Sequence, residues 1–134
     1  MSTPFGPRLI GETEKTLNAL LRRFLYGTDL TEAQWVVLRL ADAPGGSAGA
    51  EDLVATVADY AHFTDAAALV EDLTTRGLLE DGRLTPAGRD VTDAVLARSA
   101  TDTAPIWSDL PADDVAAATR LLNEIVSRAR VVLG

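Results

Sequence analysis

Leu69-Val70-Glu71-Asp72-Leu73-Thr74-Thr75-Arg76-Gly77-Leu78-Leu79-Glu80-Asp81-Gly82-Arg83-Leu84-Thr85-Pro86-Ala87-Gly88-Arg89 decides the fold. It opens with apolar residues at helical spacing, Leu69, Val70 and Leu73, and stops at Gly77, a residue suited to a helix end. Leu78-Leu79-Glu80 and Arg83-Leu84 then flank Asp81-Gly82. An Asp-Gly pair between apolar residues is a strong hairpin signal, since both turn positions need a positive φ. Thr85-Pro86 restarts a helix, with threonine as the cap and proline in the first turn, where its missing N–H costs nothing. A helix, a very short hairpin and a second helix in this order form the end of a winged helix-turn-helix.

Upstream, a fourth helix is expected from about Thr64 to Arg76 and a third from Ala50 to Tyr60, with Leu53, Val54 and Val57 inward and a brief turn at Ala61-His62. The second helix has Thr31 as N-cap and Glu32 in its first turn, carries Trp35, Val36, Leu38, Arg39 and Leu40, and ends at the breaker cluster Pro44-Gly45-Gly46-Ser47. A first helix starts at Arg8 after a loose arm, presents Leu9, Ile10, Leu17, Leu20, Leu21, Phe24 and Leu25, and stops at Gly27-Thr28. Downstream, the fifth helix carries Val91, Ala94, Val95 and Leu96 and fades near Ala104-Pro105. The last opens at Pro111 with Asp113 and Asp114 at its positive end. Its apolar positions from Val115 to Leu133 nearly fill one broad face, including Leu121, Leu122, Ile125 and Val126. So apolar a helix needs a large covering surface, and a second copy of the chain is the expected one. The expected fold class is mostly α: one domain over 1–134, with a winged helix-turn-helix at about 31–85. Helices at about 8–26, 86–104 and 111–133 form a dimerisation region, with Leu17 and Leu20 its candidates on the first helix.

Composition removes several function classes. With no cysteine, thiolate metal sites, disulfides and thiol redox chemistry are excluded, and with His62 the sole histidine so is a multi-histidine metal site. No cofactor is called for. No apolar run approaches the ~18 residues of a membrane span, and the N-terminus lacks a basic region followed by an apolar core. The expectation is a cytoplasmic protein with no membrane partner. Enzymatic activity is not expected, because no nucleophile–histidine pair can be placed and Pro44–Gly49 lacks the ending of a phosphate loop.

Two stretches resemble the MarR family of transcriptional regulators. Leu30-Thr31-Glu32-Ala33-Gln34-Trp35-Val36-Val37-Leu38 is similar to the start of that family's second helix. Leu69 to Leu79 followed by Leu84-Thr85-Pro86-Ala87-Gly88-Arg89 resembles its recognition helix, wing and fifth helix. The resemblance implies a homodimer interlocked through the first, fifth and sixth helices, with wing domains docking on two half-sites of operator DNA. It also implies a small anionic or phenolic ligand bound between the dimer region and the wing domain.

Three features depart from the family's pattern. The wing is short, and Arg83 is the sole basic residue at its tip, beside Glu80 and Asp81. The recognition helix offers Thr64, Asp65, Ala67 and Ala68, with Glu71 and Asp72 beyond, and no arginine or lysine for bidentate contact with guanine. Residues 50–83 hold eight acids against Arg76 and Arg83, so most of the net charge of −8 falls in the module meant to meet phosphate. The candidate DNA-contacting residues are Thr64, Asp65, Ala68, Arg76 and Arg83. An alternative reading is a winged-helix protein that has lost strong DNA binding and acts through protein contacts.

The candidate ligand residues each admit a plainer role. Trp35, like Trp107, is a pocket wall or a core tryptophan. Arg39 meets an anionic ligand or pairs with Asp42 at i, i+3. His62 is a phosphate or ligand contact, or an exposed or capping residue.

Overall fold

The computed structural model describes residues 2–43 and 47–134; Pro44, Gly45 and Gly46 of the expected breaker cluster lie outside the described residues. The helices are α1 (Pro7–Leu25), α2 (Glu32–Ala41), α3 (Ala50–Ala61), α4 (Ala66–Thr75), α5 (Pro86–Trp107) and α6 (Ala112–Leu133). Between α4 and α5 run β1 (Leu79–Glu80) and β2 (Arg83–Leu84), antiparallel, with Leu79 opposite Leu84 and Glu80 opposite Arg83. The architecture is the mostly helical winged helix-turn-helix expected. The chain divides into two units, one ending at Ser99 and one of Ala100–Gly134.

Local chemistry sets the boundaries. Thr31 caps α2 in a capping box: its Oγ1 accepts the Gln34 N–H at 3.1 Å, and the Gln34 side chain accepts the Thr31 N–H at 2.9 Å. The end of α4 is a Schellman motif, with Leu78 N–H donating to the Leu73 carbonyl and Gly77 N–H to that of Thr74, both at 3.0 Å. Gly77 takes the left-handed position at φ 78°. Two boundaries differ from the sequence expectation. α4 starts at Ala66, two residues late, because Asp65 takes the cap position, without a side-chain cap bond. α5 runs through Ala104 and Pro105 to Trp107, with Pro105 costing one backbone bond in the last turn.

In the first unit the core gathers Leu38, Val37, Leu53, Val57, Leu73 and Leu79, all essentially sealed from solvent. Burying each such side chain contributes about 1.5–3 kcal/mol. Phe24 and Leu25 at the end of α1 and Val95 in the middle of α5 join the same core, so both helices pack on the wing domain. Trp35 belongs to it too, at 8% exposure.

The second unit is the end of α5 and α6. No residue of α6 is buried and Ile125 is half-buried, while Leu121, Leu122 and Val126 are exposed. Val115, Ala118, Leu122, Ile125, Ala129 and Val132 follow one another at alternating steps of three and four, the spacing of a coiled-coil seam. Trp107 is 61% exposed, which removes the core reading for that residue. Among the described residues, no helix is long and apolar enough to cross a membrane.

The wing turn has the expected form. Asp81 at φ 52° and Gly82 at φ 77° make a type I′ turn, and the turn is seated on the chain that enters α3. Ser47, itself buried, donates from Oγ to the Gly82 carbonyl at 2.5 Å. A Cβ at Gly82 would overlap the Gly49 carbonyl oxygen and come within 2.6 Å of Ser47 Oγ. Gly82→Val is therefore expected to destabilise the fold by at least about 1–3 kcal/mol, the scale of a strained backbone site. Chemical denaturation measures it, and an unchanged midpoint would mean that the wing is not docked.

Candidate nucleic-acid interface

α3 and α4 form the helix-turn-helix, and His62 makes the turn. It takes the left-handed conformation at φ 58° after α3, with its N–H on the Ala58 carbonyl at 2.9 Å, and its side chain is exposed. α4 buries Ala66, Val70 and Leu73. The face opposite that stripe carries Ala68, Glu71 and Thr75, and Thr64 lies in the turn just before the Asp65 cap; all four are exposed. Thr64 and Ala68 were expected there. Glu71 and Thr75 were not chosen as contacts, although the period of the buried residues already placed them on this face.

Asp65 and Arg76 lie at opposite ends of α4, about 16 Å apart along the axis. Arg76 is turned toward α2. Its guanidinium is 3.4 Å from Gln34 Oε1 and 3.9 Å from Asp72, and Gln34 Nε2 donates to Asp72 at 2.9 Å. The N-cap side chains of α2 and the last turn of α4 thus form one polar network. Arg83 stands on β2 opposite Glu80, with Nε 3.4 Å from the Ser47 carbonyl. Both wing-domain arginines already have partners within the protein, and all eight acids of residues 50–83 are exposed. The exposed charge on this part of the domain is mostly negative.

The ligand candidates separate. The Arg39 guanidinium lies 5.9 Å from the Trp35 ring centroid, within cation–π reach, and pairs with Asp42 at 3.4 Å. Arg89 of α5 reaches the same carboxylate at 3.0 Å, so Asp42 ties α2 to α5. His62 ends α3 and takes no part in this cluster. Sequence reasoning found the Arg39–Asp42 pair but missed Arg89, whose partner lies 47 positions away. It also missed Ser47, whose only signal was a small polar residue at the end of a glycine-rich stretch.

The fold, with its exposed second helix and two-stranded wing, defines a winged helix-turn-helix domain. The chain belongs to a helix-turn-helix family, whose profile matches residues 24–132, and this membership supports a DNA-binding domain of a regulator. Comparison with curated proteins and with solved structures gave no significant match.

Asp72→Ala is expected to release Arg76 and remove one negative charge beside the reading face. Stability should fall by no more than about 1 kcal/mol, because these groups are largely exposed. Affinity for non-specific duplex DNA at low salt should rise in fluorescence anisotropy; a fall would mean that Asp72 positions Arg76 for phosphate.

Proposed function

We propose that the protein is a dimeric, MarR-like transcriptional regulator that binds operator DNA through α4 and the wing, works in the cytoplasm and responds to a small ligand. The observation that carries the DNA reading is α3–turn–α4 with an exposed Ala68–Glu71–Thr75 face, and Thr64 exposed in the turn before it, inside a helix-turn-helix family match. Thr64 and Thr75 offer hydroxyls to base edges, Ala68 suits a thymine methyl, and Glu71 can accept from cytosine N4. The contact is poor in ion pairs, because Arg76 and Arg83 are the sole cations of residues 50–83. The dimer reading rests on α6, whose seam of apolar residues is left uncovered within one chain. Leu121, Leu122, Ile125 and Val126 would carry that interface. On α1, Leu20 packs on the protein's own core and is the weaker candidate.

A second reading is favoured by the same face: Glu71 at its centre and acids around it fit a basic protein partner better than phosphate. DNA selection followed by anisotropy at two salt concentrations separates the two. The DNA reading predicts binding with a shallow salt dependence of about two to four ion pairs per dimer, from a slope of about 0.9 per phosphate. Arg83→Ala should flatten it further. No retention on duplex DNA at low salt would overturn this reading in favour of protein contact, and a steep slope would mean that the acids point away from the phosphates. For the dimer, replacing Leu122 and Ile125 together with lysine should give monomeric or unfolded protein in sedimentation velocity. A wild-type chain that sediments as a compact monomer at micromolar concentration would overturn it.

A further inference from the structure

Between the second half of α1, the start of α2 and the end of α3 lies a cleft of about 810 Å³. That is within the size range of small-molecule sites, roughly 300–1,000 Å³. Its apolar wall includes Leu17 of α1, Val36 of α2 and Phe63 beyond α3, all half-buried, and Tyr60 stands at its side, 63% exposed. Two carboxylates line it, Glu14 from α1 and Glu32 from the first turn of α2; among the described residues, no lysine, arginine or histidine does. Glu32 is paired with Arg22 at 2.9 Å, whereas Glu14 takes a hydrogen bond from the Asn18 amide and makes no ion pair among the described residues.

The N-terminus of α2 opens on this cleft, and a helix start by itself favours an anion. Here that end already carries its own anion and part of its hydrogen bonding. The capping box uses the N–H groups of Thr31 and Gln34, and Glu32 supplies the negative charge. A carboxylate or phenolate entering the cleft would meet Glu14 and Glu32 at close range. An ammonium group would gain a charge-assisted hydrogen bond to Glu14 and the face of the Tyr60 ring. We propose that this cleft binds a ring-bearing organic cation, with its amine on Glu14 and its ring against Leu17, Phe63 and Tyr60. The inference rests on the ligand-sensing part of the proposed function, gives it a site away from Trp35 and Arg39, and reverses the charge of the ligand expected from the sequence.

The test needs no DNA. Three probes share one ring system and differ in charge: 2-naphthylmethylamine, 2-naphthylmethanol and 2-naphthoate. Each is titrated into the full chain and followed by amide chemical shifts. The amine should bind about tenfold tighter than naphthoate, equivalent to ~1.4 kcal/mol, with shifts at Leu17, Val36, Tyr60 and Phe63. Glu14→Gln should abolish that preference while leaving binding of the alcohol unchanged. Naphthoate binding at Trp35 and Arg39 would overturn the cleft and leave a ligand-sensing regulator standing. Binding by none of the three would overturn both, and an amine preference that survives Glu14→Gln would overturn the assignment of its charge partner.

Discussion

The node at Thr85 holds the domain in its shape. Thr85 N–H donates to the Leu78 carbonyl at 3.1 Å, its Oγ1 donates to the Gly77 carbonyl at 2.6 Å, and the same oxygen accepts the Gly88 N–H at 3.0 Å. Three bonds through one residue join the end of α4, the base of the wing and the first turn of α5. The approach is so close that a Cβ at Gly88 would run into the Leu78 carbonyl oxygen. Glycine at this position is thus a packing requirement rather than a turn signal. With Leu78 and Thr85 pinned together, six residues remain to build the wing, and a two-residue type I′ turn between two-residue strands uses all six.

The short wing has an electrostatic consequence. A longer hairpin could carry cations into a groove, but this one folds back on Ser47 and Gly49, and Arg83 is drawn toward the Ser47 carbonyl. Arg76 is likewise held along the surface by Gln34 and Asp72. The exposed charge left on the helix-turn-helix is negative. On the DNA reading proposed above, shape and polar groups on α4 would carry much of the contact, with only a few ion pairs added.

Several polar links between the first unit's elements converge on α2: Gln34–Asp72–Arg76 to α4, Arg39–Asp42–Arg89 to α5, and Arg22–Glu32 to α1. All three involve α2, which also contributes Trp35, Val37, Leu38 and Ala41 to the core. The effect of such an arrangement is geometric: exposed pairs contribute little energy each, but they help fix how the surrounding helices are turned about α2.

The sequence by itself determined the order of elements, the hairpin and most helix ends. These depend on neighbours in the chain: the 3.6-residue period of apolar side chains, a threonine cap, an Asp-Gly pair with two positive φ angles, a glycine after the last turn. It also showed that the recognition module is acidic, since charge is a property of composition. Only the tertiary structure decided which charges are already used. Asp42 shared by Arg39 and Arg89, Arg76 turned to Gln34, and Ser47 seated under Gly82 join residues between 35 and 47 positions apart where they link separate elements. The cleft beside Glu14 was invisible for the same reason. Its walls come from three helices, and no local pattern records which side chains a fold will bring face to face.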